Sequence, residues 1–435
     1  MEHYLVIDIG RRSGRHVVGW QDNGELRTEE VYHFSNELKS ENGHSEWDLQ
    51  GLLSEIKAGI ETALAMYGSI RSLSVVAWGK DYVLMNGDKE IEPCYADRDD
   101  QASTVVAQVH RLIPFMQLYQ RTGIQFQKYN TVYQLFDDKT NGRLARATDF
   151  LMLPEYFLYK LCGIKAHDYT NATTTGMVNA RTGEYDTGII QELGFPRHLF
   201  PQLSRPAMLG GYHGIRCALC ATETAASAAE GFPSDDQSLF IILGERSLLG
   251  VKAGSPLTDA VSEAAGFSNE GGTDCIRYSK EIAGTALIDR LREELYPGKT
   301  CTMIIAQAER SRFDETVDVK ARIFQSGGSA KAYFDAALGR KPQAPGDCIR
   351  CAYRSIALSF AQGVEEIERN VGRRFDRIYL AGQESDNQFF LDQISDATGK
   401  KVIPLQIDPI ICGSLKIQME LDKCIGFSCE QAEKE

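Results

Sequence analysis

The chain has 435 residues, of which 43% are hydrophobic and 25% are charged, and its formal net charge at pH 7 is −13. This composition excludes a disordered chain and predicts a globular protein of roughly two or three domains. The negative charge argues against nucleic acid as the main partner, so a bound polyphosphate would need local cations or Mg²⁺.

The apolar segments are short. The longest, such as "LFIIL" at 239–243, fall far below the roughly 20 residues that cross a bilayer, and the first residues lack the pattern of a signal peptide. We therefore expect a cytoplasmic protein with no membrane partner, in which the 11 cysteines are reduced thiols. The pairs "CALC" at 217–220 and "CIRC" at 348–351 could form a zinc site, but their strand and helix contexts favour core packing.

The first predicted element is a hairpin, "LVIDIGRRSGRHVVGW" at 5–20, in which an apolar run ends in Asp8 and glycines let the chain reverse. Another antiparallel pair is predicted between "EEVYHFSNEL" and "HSEWD". A helical period follows, with Asp48 as N-cap and Gly68 as terminator. After a predicted strand, "LSVVAWG", the segment "YVLMNGDKEIEPCY" predicts a hairpin that turns at 86–88. This order indicates a mixed α/β fold.

A weak internal repeat relates two parts of the chain. The segment "LVIDIGRRSGRHV" at 5–17 agrees with "LFIILGERSLLGV" at 239–251 at six of 13 positions. Strand and turn chemistry alone could produce this agreement. A second copy nevertheless predicts two domains of similar design, at 1–230 and 231–435, with a ligand cleft between them.

Five further elements are predicted in the second domain. The pattern indicates a helix from about Lys280 to Leu295 and another at 348–371. A strand, "RIYLAG" at 377–382, is followed by a helix from about Asn387 and by a short strand, "KVIPLQ".

Several stretches resemble the FGGY carbohydrate kinases, and within them the branch that acts on L-rhamnulose. "TGIQF", "YNTVYQL" and "YTNATTT", in this order, are the most specific. The other matching stretches are "DIGRRSGR" (8–15), "GHSEWD" (43–48), "WGKDYVLM" (78–85), "YADRDDQ" (95–101), "LMLPEYFLYKLCG" (151–163), "SNEGG" (268–272) and "YLAGQESDNQFFLDQISDATG" (379–399).

The resemblance implies a two-domain α/β fold of the actin, sugar kinase and Hsp70 kind, which is ribonuclease H-like and has a central cleft. It implies transfer of the γ-phosphoryl group of ATP, with Mg²⁺, to a hydroxyl of a ketose such as L-rhamnulose. The first domain would bind the sugar and the second would lie on the nucleotide side. We expect a monomer or homodimer.

The resemblance also assigns a sugar side. Glu223 stands where the family has its catalytic aspartate and is the candidate general base. Its other interpretation is a helix N-cap acid whose pKa the helix dipole lowers, which would make it a poorer base. The candidate sugar contacts are Gly79, Lys80, Asp81, Asp97, Arg98, Thr222 and Thr224. Lys80 replaces an apolar residue and either contacts a charged ligand or, as we favour, forms an ion pair with Asp81, Asp97 or Glu223.

The nucleotide side departs more from the family pattern. Asp8 would hold Mg²⁺ through water, but Arg11 and Arg12 stand where small residues are usual. Gln383 and Glu384 replace two of three glycines and would fill the space of a purine. Glu281 and Asp289 add further negative charge. The candidate nucleotide contacts are Asp8, Arg12, Ser13, Gly14, Arg15, Gly244, Glu245 and Gly382.

Two hypotheses follow from this uneven match. In the first, the protein is a carbohydrate kinase that uses altered contacts, in which arginines bind phosphate directly. In the second, it is a sugar-binding or regulatory protein that has lost normal ATP binding and has little turnover.

Overall fold

The computed structural model of the protein describes residues 1–41, 44–96, 104–320, 328–338 and 344–432. The chain divides into two units. Unit 1 contains Met1–Phe232, Ala253–Arg277 and Ile407–Glu435, and unit 2 contains Pro233–Lys252 and Tyr278–Gln406. The chain first enters unit 2 near the boundary expected at 230–231, and two later segments return to unit 1. The assignment of sugar and nucleotide binding to 1–230 and 231–435 stays a prediction.

The elements up to the first entry into unit 2 are β1 (Tyr4–Ile9), β2 (Ser13–Asp22), β3 (Glu25–Ser35), β4 (Leu38–Glu41), β5 (His44–Trp47), α1 (Leu49–Tyr67), β6 (Ser72–Ala77), β7 (Tyr82–Asn86), β8 (Lys89–Glu90), α2 (Val106–Leu112), α3 (Phe115–Thr122), α4 (Thr131–Thr140), β9 (Asp149–Met152), α5 (Leu153–Cys162), α6 (Tyr169–Ala172), α7 (Thr187–Glu192), β10 (Ala207–Tyr212), β11 (Ile215–Leu219) and α8 (Thr224–Gly231). The later elements are β12 (Ser238–Leu243), β13 (Arg246–Ala253), α9 (Ala260–Ala264), β14 (Ser268–Gly271), β15 (Ile276–Ala283), α10 (Ala286–Leu295), α11 (Cys301–Arg310), α12 (Ala330–Ala337), α13 (Pro345–Val371), β16 (Arg377–Gly382), α14 (Gln388–Thr398), β17 (Lys401–Pro404) and α15 (Pro409–Ala432).

The two predicted hairpins have the same topology. In unit 1, β1 pairs antiparallel with β2 and parallel with β6, inside a sheet of order β10–β11–β6–β1–β2–β3. In unit 2, β12 pairs antiparallel with β13 and parallel with β16. The continuous apolar runs of β1 and β12 suit such central strands, which are buried on both faces. The predicted mixed α/β fold with a repeated hairpin is confirmed.

Local signals located several elements correctly. Asp48 caps α1 by accepting a hydrogen bond from the Gly51 amide at 3.0 Å, and Gly68 ends the helix with a φ of 73°. The hairpin of β7 and β8 turns after Asn86, which pairs with Lys89. The predicted strand at 377–382 is β16, and Asn387 caps α14.

Three predictions of elements were wrong or incomplete. "EEVYHFS" pairs with β2 as the end of β3, and only the following "LKSE" pairs with "HSEW". Residues 280–283 belong to β15, so the predicted helix begins later, as α10. The strand and helix are separated by Gly284, where any side chain would collide with the carbonyl oxygen of Gly244. α15 carried no predicted helix.

The cysteines of the two CxxC pairs are buried. Cys217 lies on β11 and Cys220 directly follows it, while Cys348 and Cys351 lie on α13. This placement agrees with the predicted core packing. Across the part of the chain that the structure describes, no helix is both long enough and apolar enough to cross a membrane.

The last helix, α15, packs on the sheet of unit 1 through buried polar contacts. The Gln418 amide nitrogen donates to the carbonyl oxygen of Leu5 at 3.1 Å and to the Ser74 hydroxyl at 2.9 Å, while the Ser72 hydroxyl donates to Gln418 Oε1 at 2.7 Å. The hydroxyls of Ser74 and Ser414 lie 2.6 Å apart. These contacts join residues near the two ends of the chain.

We expect Gln418→Leu to lower the free energy of unfolding by about 1–3 kcal/mol, because the buried partners of the amide would lose their hydrogen bonds without gaining water. Denaturant titration followed by circular dichroism measures this change. The matched control is Gln117→Leu on the exposed side of α3, which should change stability by about 0.5 kcal/mol or less. Equal losses in the two variants would contradict the expected role of Gln418.

Candidate active site

Glu223 precedes α8 and caps it with its side chain. Its Oε1 accepts a hydrogen bond from the Ala225 amide at 3.0 Å, and its Oε2 accepts one from the Ala226 amide at 2.9 Å. The small residues of α8 let α15 approach closely, and a side chain at Gly413 would collide with the carbonyl oxygen of Ser227. The small-residue sequence thus fixes the helix whose N-terminus presents the carboxylate.

A buried arginine, which the sequence analysis did not single out, pairs with the same carboxylate. The Arg277 side chain is 0% exposed, and its Nη2 lies 2.9 Å from Glu223 Oε2 and 3.2 Å from Glu270 Oε2. Its Nε donates to the carbonyl oxygen of Gly271 at 3.1 Å. The motif "SNEGG" contains Glu270, but only the folded chain shows that it meets Glu223 through Arg277.

The surroundings raise the pKa of Glu223. Burial is the largest cause and the charge of Glu270 adds to it, while Arg277 and the two α8 amides lower the pKa without cancelling the rise. The two amide hydrogen bonds confirm that Glu223 caps the helix. The lowered pKa that was expected with this cap is wrong, because the pKa is raised. Removing a carboxylate from water outweighs the partial charge of a helix N-terminus. The raised pKa makes this carboxylate a better proton acceptor.

Thr222, the residue before Glu223, contacts two buried acidic side chains. The Thr222 hydroxyl lies 3.1 Å from Glu155 Oε1 and 3.0 Å from Asp168 Oδ2. Asp168 also accepts from the Asn171 amide at 3.0 Å. Burial raises the pKa of Asp168 to about 6. Burial also raises the pKa of Glu155 well above its usual value, and the negative charge of Asp168 adds to this rise. Thr222 thus has internal partners, and its predicted sugar contact stays a prediction, as does that of Thr224.

We expect Glu155→Gln to weaken the dependence of stability on pH. A carboxyl group whose pKa is raised by folding stabilises the protein below its unfolded pKa, and this stabilisation is lost as the pH rises through the folded pKa. The melting temperature of the variant, relative to the original protein, should therefore increase from about pH 5 to about pH 8. Exposed Glu184→Gln is the control. A constant difference between Glu155→Gln and the original protein over this range would contradict the expectation.

Asp81 is held by two tryptophans. It is fully buried, and its Oδ2 accepts from the indole nitrogens of Trp47 at 2.7 Å and Trp78 at 2.8 Å. Gly79 packs closely on Thr174, because a Cβ would lie 2.8 Å from the Thr174 hydroxyl and force a neighbour to shift. This motif is therefore tightly packed. The predicted sugar contacts of Gly79 and Asp81 stay predictions, and Asp97 and Arg98 lie outside the described residues.

Lys80 does not form the ion pair that we favoured with Asp81 or Glu223, as far as the described residues show. Its ammonium group donates to Gln127 Oε1 and lies 4.9 Å from the ring centre of Tyr129. Asp81 accepts two indole hydrogen bonds, which help to offset its charge. The cation of Lys80 is instead accommodated by an amide oxygen and an aromatic face.

The first hairpin brings Asp8 and Arg15 together. Arg15 Nε donates to Asp8 Oδ2 at 2.9 Å, and Arg15 Nη2 pairs with Asp408. Burial raises the pKa of Asp8, against the opposing effect of Arg15. The turn closes through the Gly10 amide, which donates to the Ser13 carbonyl at 2.8 Å. Two other predicted contacts flank it: Arg12 is exposed, and a side chain at Gly14 would collide with the Phe34 ring.

In unit 2, the residues that replace the glycine triplet have internal partners. Gln383 Oε1 accepts from the Thr285 hydroxyl at 2.7 Å. Glu384, at a φ of 63°, pairs with Arg292 at 2.7 Å and accepts from the Tyr353 hydroxyl at 2.9 Å and the Asn387 amide at 2.7 Å. Burial alone would raise the pKa of Glu384, but these partners lower it overall.

Three positions complete the predicted nucleotide side. Gly244 accepts a hydrogen bond from the Thr285 amide at 2.8 Å, and Gly382 has a φ of 98° at which a side chain would collide with the Leu243 carbonyl oxygen. Glu245 is exposed. Glu281, expected to add negative charge, lies 2.6 Å from Arg246, which offsets that charge.

Comparisons with known proteins agree with the resemblance found in the sequence. Residues 321–419 match the C-terminal domain, and residues 3–220 the N-terminal domain, of the FGGY family of carbohydrate kinases. Rhamnulokinase of Oceanobacillus iheyensis is 33% identical over 95% of this chain and 92% of its own length. Rhamnulokinase of Halalkalibacterium halodurans is 31% identical over 96% of this chain and 93% of its own length.

Solved structures show the same fold at low sequence identity. A xylulose kinase from Lactobacillus acidophilus, 14% identical, has a TM-score of 0.82 over 98% of this chain and 90% of its own. Glycerol kinase of Plasmodium falciparum, 13% identical, has a TM-score of 0.78 over 96% of this chain and 89% of its own. The predicted two-domain fold class is confirmed. By both domain matches and by similarity over nearly its whole length, the chain belongs to the FGGY family of carbohydrate kinases.

Proposed function

We propose that the protein transfers the γ-phosphoryl group of ATP to a hydroxyl of a ketose, such as L-rhamnulose, with Glu223 as the general base. The observation that carries this proposal is the buried carboxylate at the start of α8, whose pKa is raised. A base is most effective when its pKa lies near the working pH. Similarity to rhamnulokinases over nearly the whole chain supports the ketose as the sugar class.

The proposed step uses one proton transfer. The O–H bond of the sugar breaks and its proton passes to Glu223, while the sugar oxygen forms a bond to the γ-phosphorus. The bond from this phosphorus to the bridging oxygen breaks, and ADP leaves with the electron pair. Gly79, Lys80, Asp81, Asp97, Arg98, Thr222 and Thr224 are proposed to orient the sugar.

The end of β1 offers an oxygen ligand of the kind that Mg²⁺ prefers. Asp8, which Arg15 contacts through Oδ2, would hold Mg²⁺ through water. Mg²⁺, when bound with ATP, would neutralise charge on the phosphoryl oxygens. Arg12, Ser13, Gly14, Arg15, Gly244, Glu245 and Gly382 are proposed to surround the nucleotide.

The test is release of ADP on mixing the protein with Mg·ATP and each of a panel of ketoses, including L-rhamnulose. Phosphorus NMR of the product identifies the hydroxyl that is phosphorylated, and thermal shifts with Mg·ATP and sugar separately measure binding of each. Pyrophosphate is included as an alternative donor. Stabilisation by a sugar, with none by Mg·ATP and no ADP release, would contradict the proposal and indicate a sugar-binding protein instead.

A further inference from the structure

Arg277 is unusual because an arginine side chain is rarely buried completely. Its side chain is completely buried, and it contacts two carboxylates, Glu223 and Glu270, which are themselves largely buried. A buried arginine is costly unless it is paired. We call Glu223, Glu270 and Arg277 the buried triad. Its members come from the N-terminus of α8, from β14 and from β15, so the tertiary fold places them together.

The contacts of Glu223 distinguish its two oxygens. Oε2 accepts a hydrogen bond from the Ala226 amide at 2.9 Å and forms an ion pair with Arg277, whose Nη2 lies 2.9 Å away. Oε1 has one donor among the described residues, the Ala225 amide. Each carboxylate oxygen offers about two lone-pair positions. Oε1 is therefore the oxygen that keeps a position for a proton.

The triad also has more negative than positive charge. One guanidinium faces two carboxylates, and the charge of Glu270 opposes the effect of Arg277 on Glu223. The other groups that act on Glu223 are the first amides of α8, while the Cys275 thiol acts on Arg277. α15 also packs against α8, but Lys416 of α15 bonds to the carbonyl of Gly231, at the opposite end of that helix.

We infer that Arg277 is a positioning residue that holds Glu223 with Oε1 open to a substrate hydroxyl, and that Glu270 limits the effect of Arg277 on Glu223 by sharing its guanidinium. This inference rests on the proposed function, because it assigns the base role to Glu223. Arg277 itself does not touch the reacting atoms. Arg277 acts by fixing Oε2 of Glu223 and by placing a positive charge beside this carboxylate.

The two partners of Glu223 predict opposite effects. Glu270→Gln removes a negative neighbour, so the acidic limb of the kcat/KM profile should move about one unit to lower pH. Arg277→Met removes the positive neighbour and should move this limb about one unit to higher pH, with kcat reduced more than KM is changed. Arg277→Lys should keep the position of the limb but lower kcat, since a point charge does not hold Oε2 as a guanidinium does.

The matched control is Arg121→Met. Arg121 also contacts two carboxylates, those of Asp186 and Glu192, outside the proposed site. It should alter the melting temperature without moving the acidic limb. If Arg121→Met moves the limb as far as Arg277→Met does, the assigned role of Arg277 is wrong.

A measurement independent of turnover separates the inference from the proposed function. Carboxyl ¹³C NMR of glutamate-labelled protein follows the titration of Glu223, whose signal is assigned by its absence in Glu223→Gln. Opposite shifts of this titration in Glu270→Gln and Arg277→Met support the triad, whether or not the original protein releases ADP. Absence of ADP release would count against the proposed function but not against the triad. An unchanged titration in both folded variants would overturn the inference, whatever the activity.

Discussion

Glu223→Gln is expected to lower kcat for sugar phosphorylation by about 10²–10⁴-fold, because an amide cannot accept the proton of the sugar hydroxyl. The substitution keeps the length of the side chain, so KM for the sugar should change little. A coupled assay of ADP release measures both constants. The melting temperature, measured in parallel, shows whether loss of the cap on α8 has unfolded the variant.

The control for this prediction lies near the other end of the helix that Glu223 caps. Glu230, near the C-terminal end of α8, accepts a hydrogen bond from the Thr273 amide at 3.0 Å. Glu230→Gln removes the same charge from α8 without touching the base, and kcat should stay within about twofold of its original value. A Glu223→Gln variant that keeps more than about a tenth of the original kcat would exclude Glu223 as the main general base.

Glu384→Ala is expected to lower the free energy of unfolding by about 3 kcal/mol, because it leaves the buried guanidinium of Arg292 with only the more distant carboxylate of Asp289, at 3.4 Å. The side chains of Arg292 and Glu384 are only 10% and 12% exposed, so water replaces the lost partner poorly. Tyr353 and Asn387 also lose the oxygen to which they donate. Denaturant titration measures the loss.

Two further variants separate the causes of this loss. Glu384→Gly removes the same carboxylate but relieves a backbone at φ 63°, so it should cost about 1 kcal/mol less than Glu384→Ala. The double variant Arg292→Met, Glu384→Ala should lose less than the two single variants together, because no unpaired charge remains. Strict additivity would show that Arg292 and Glu384 do not depend on each other.

Much of the fold could be predicted because its signals are local. The hairpin that starts each sheet combines an apolar run with a glycine turn, and both features are visible in a few residues. The helix at 280–283 was wrong because an amphipathic stretch can suit either period when it is short, and the Gly284 contact that ends the strand is tertiary. α15 was missed, although its polar Ser414 and Gln418 are buried against β1 and β6.

The site was less predictable because it depends on contacts between distant segments. Glu223 followed from the family resemblance, but the direction of its pKa shift depends on burial and on Glu270, which no local pattern reports. Lys80 was expected to pair with Asp81, Asp97 or Glu223 because a buried charge needs a partner, and of these Asp97 lies outside the described residues. In the fold, Asp81 faces two indoles and Lys80 faces Gln127, since neighbouring side chains point in different directions.

The packing of α15 has a consequence for how the chain is made. Val6, Val17 and Val76 on the sheet of unit 1 are covered by Ile411, Leu415 and Met419. During synthesis the strands appear first, and this cover appears only after all of unit 2 has left the ribosome. A nascent chain that ends near residue 232 therefore presents an apolar sheet face to the cell. The unit that begins first is completed last, so its early folding stages are those most exposed to aggregation and most in need of a chaperone.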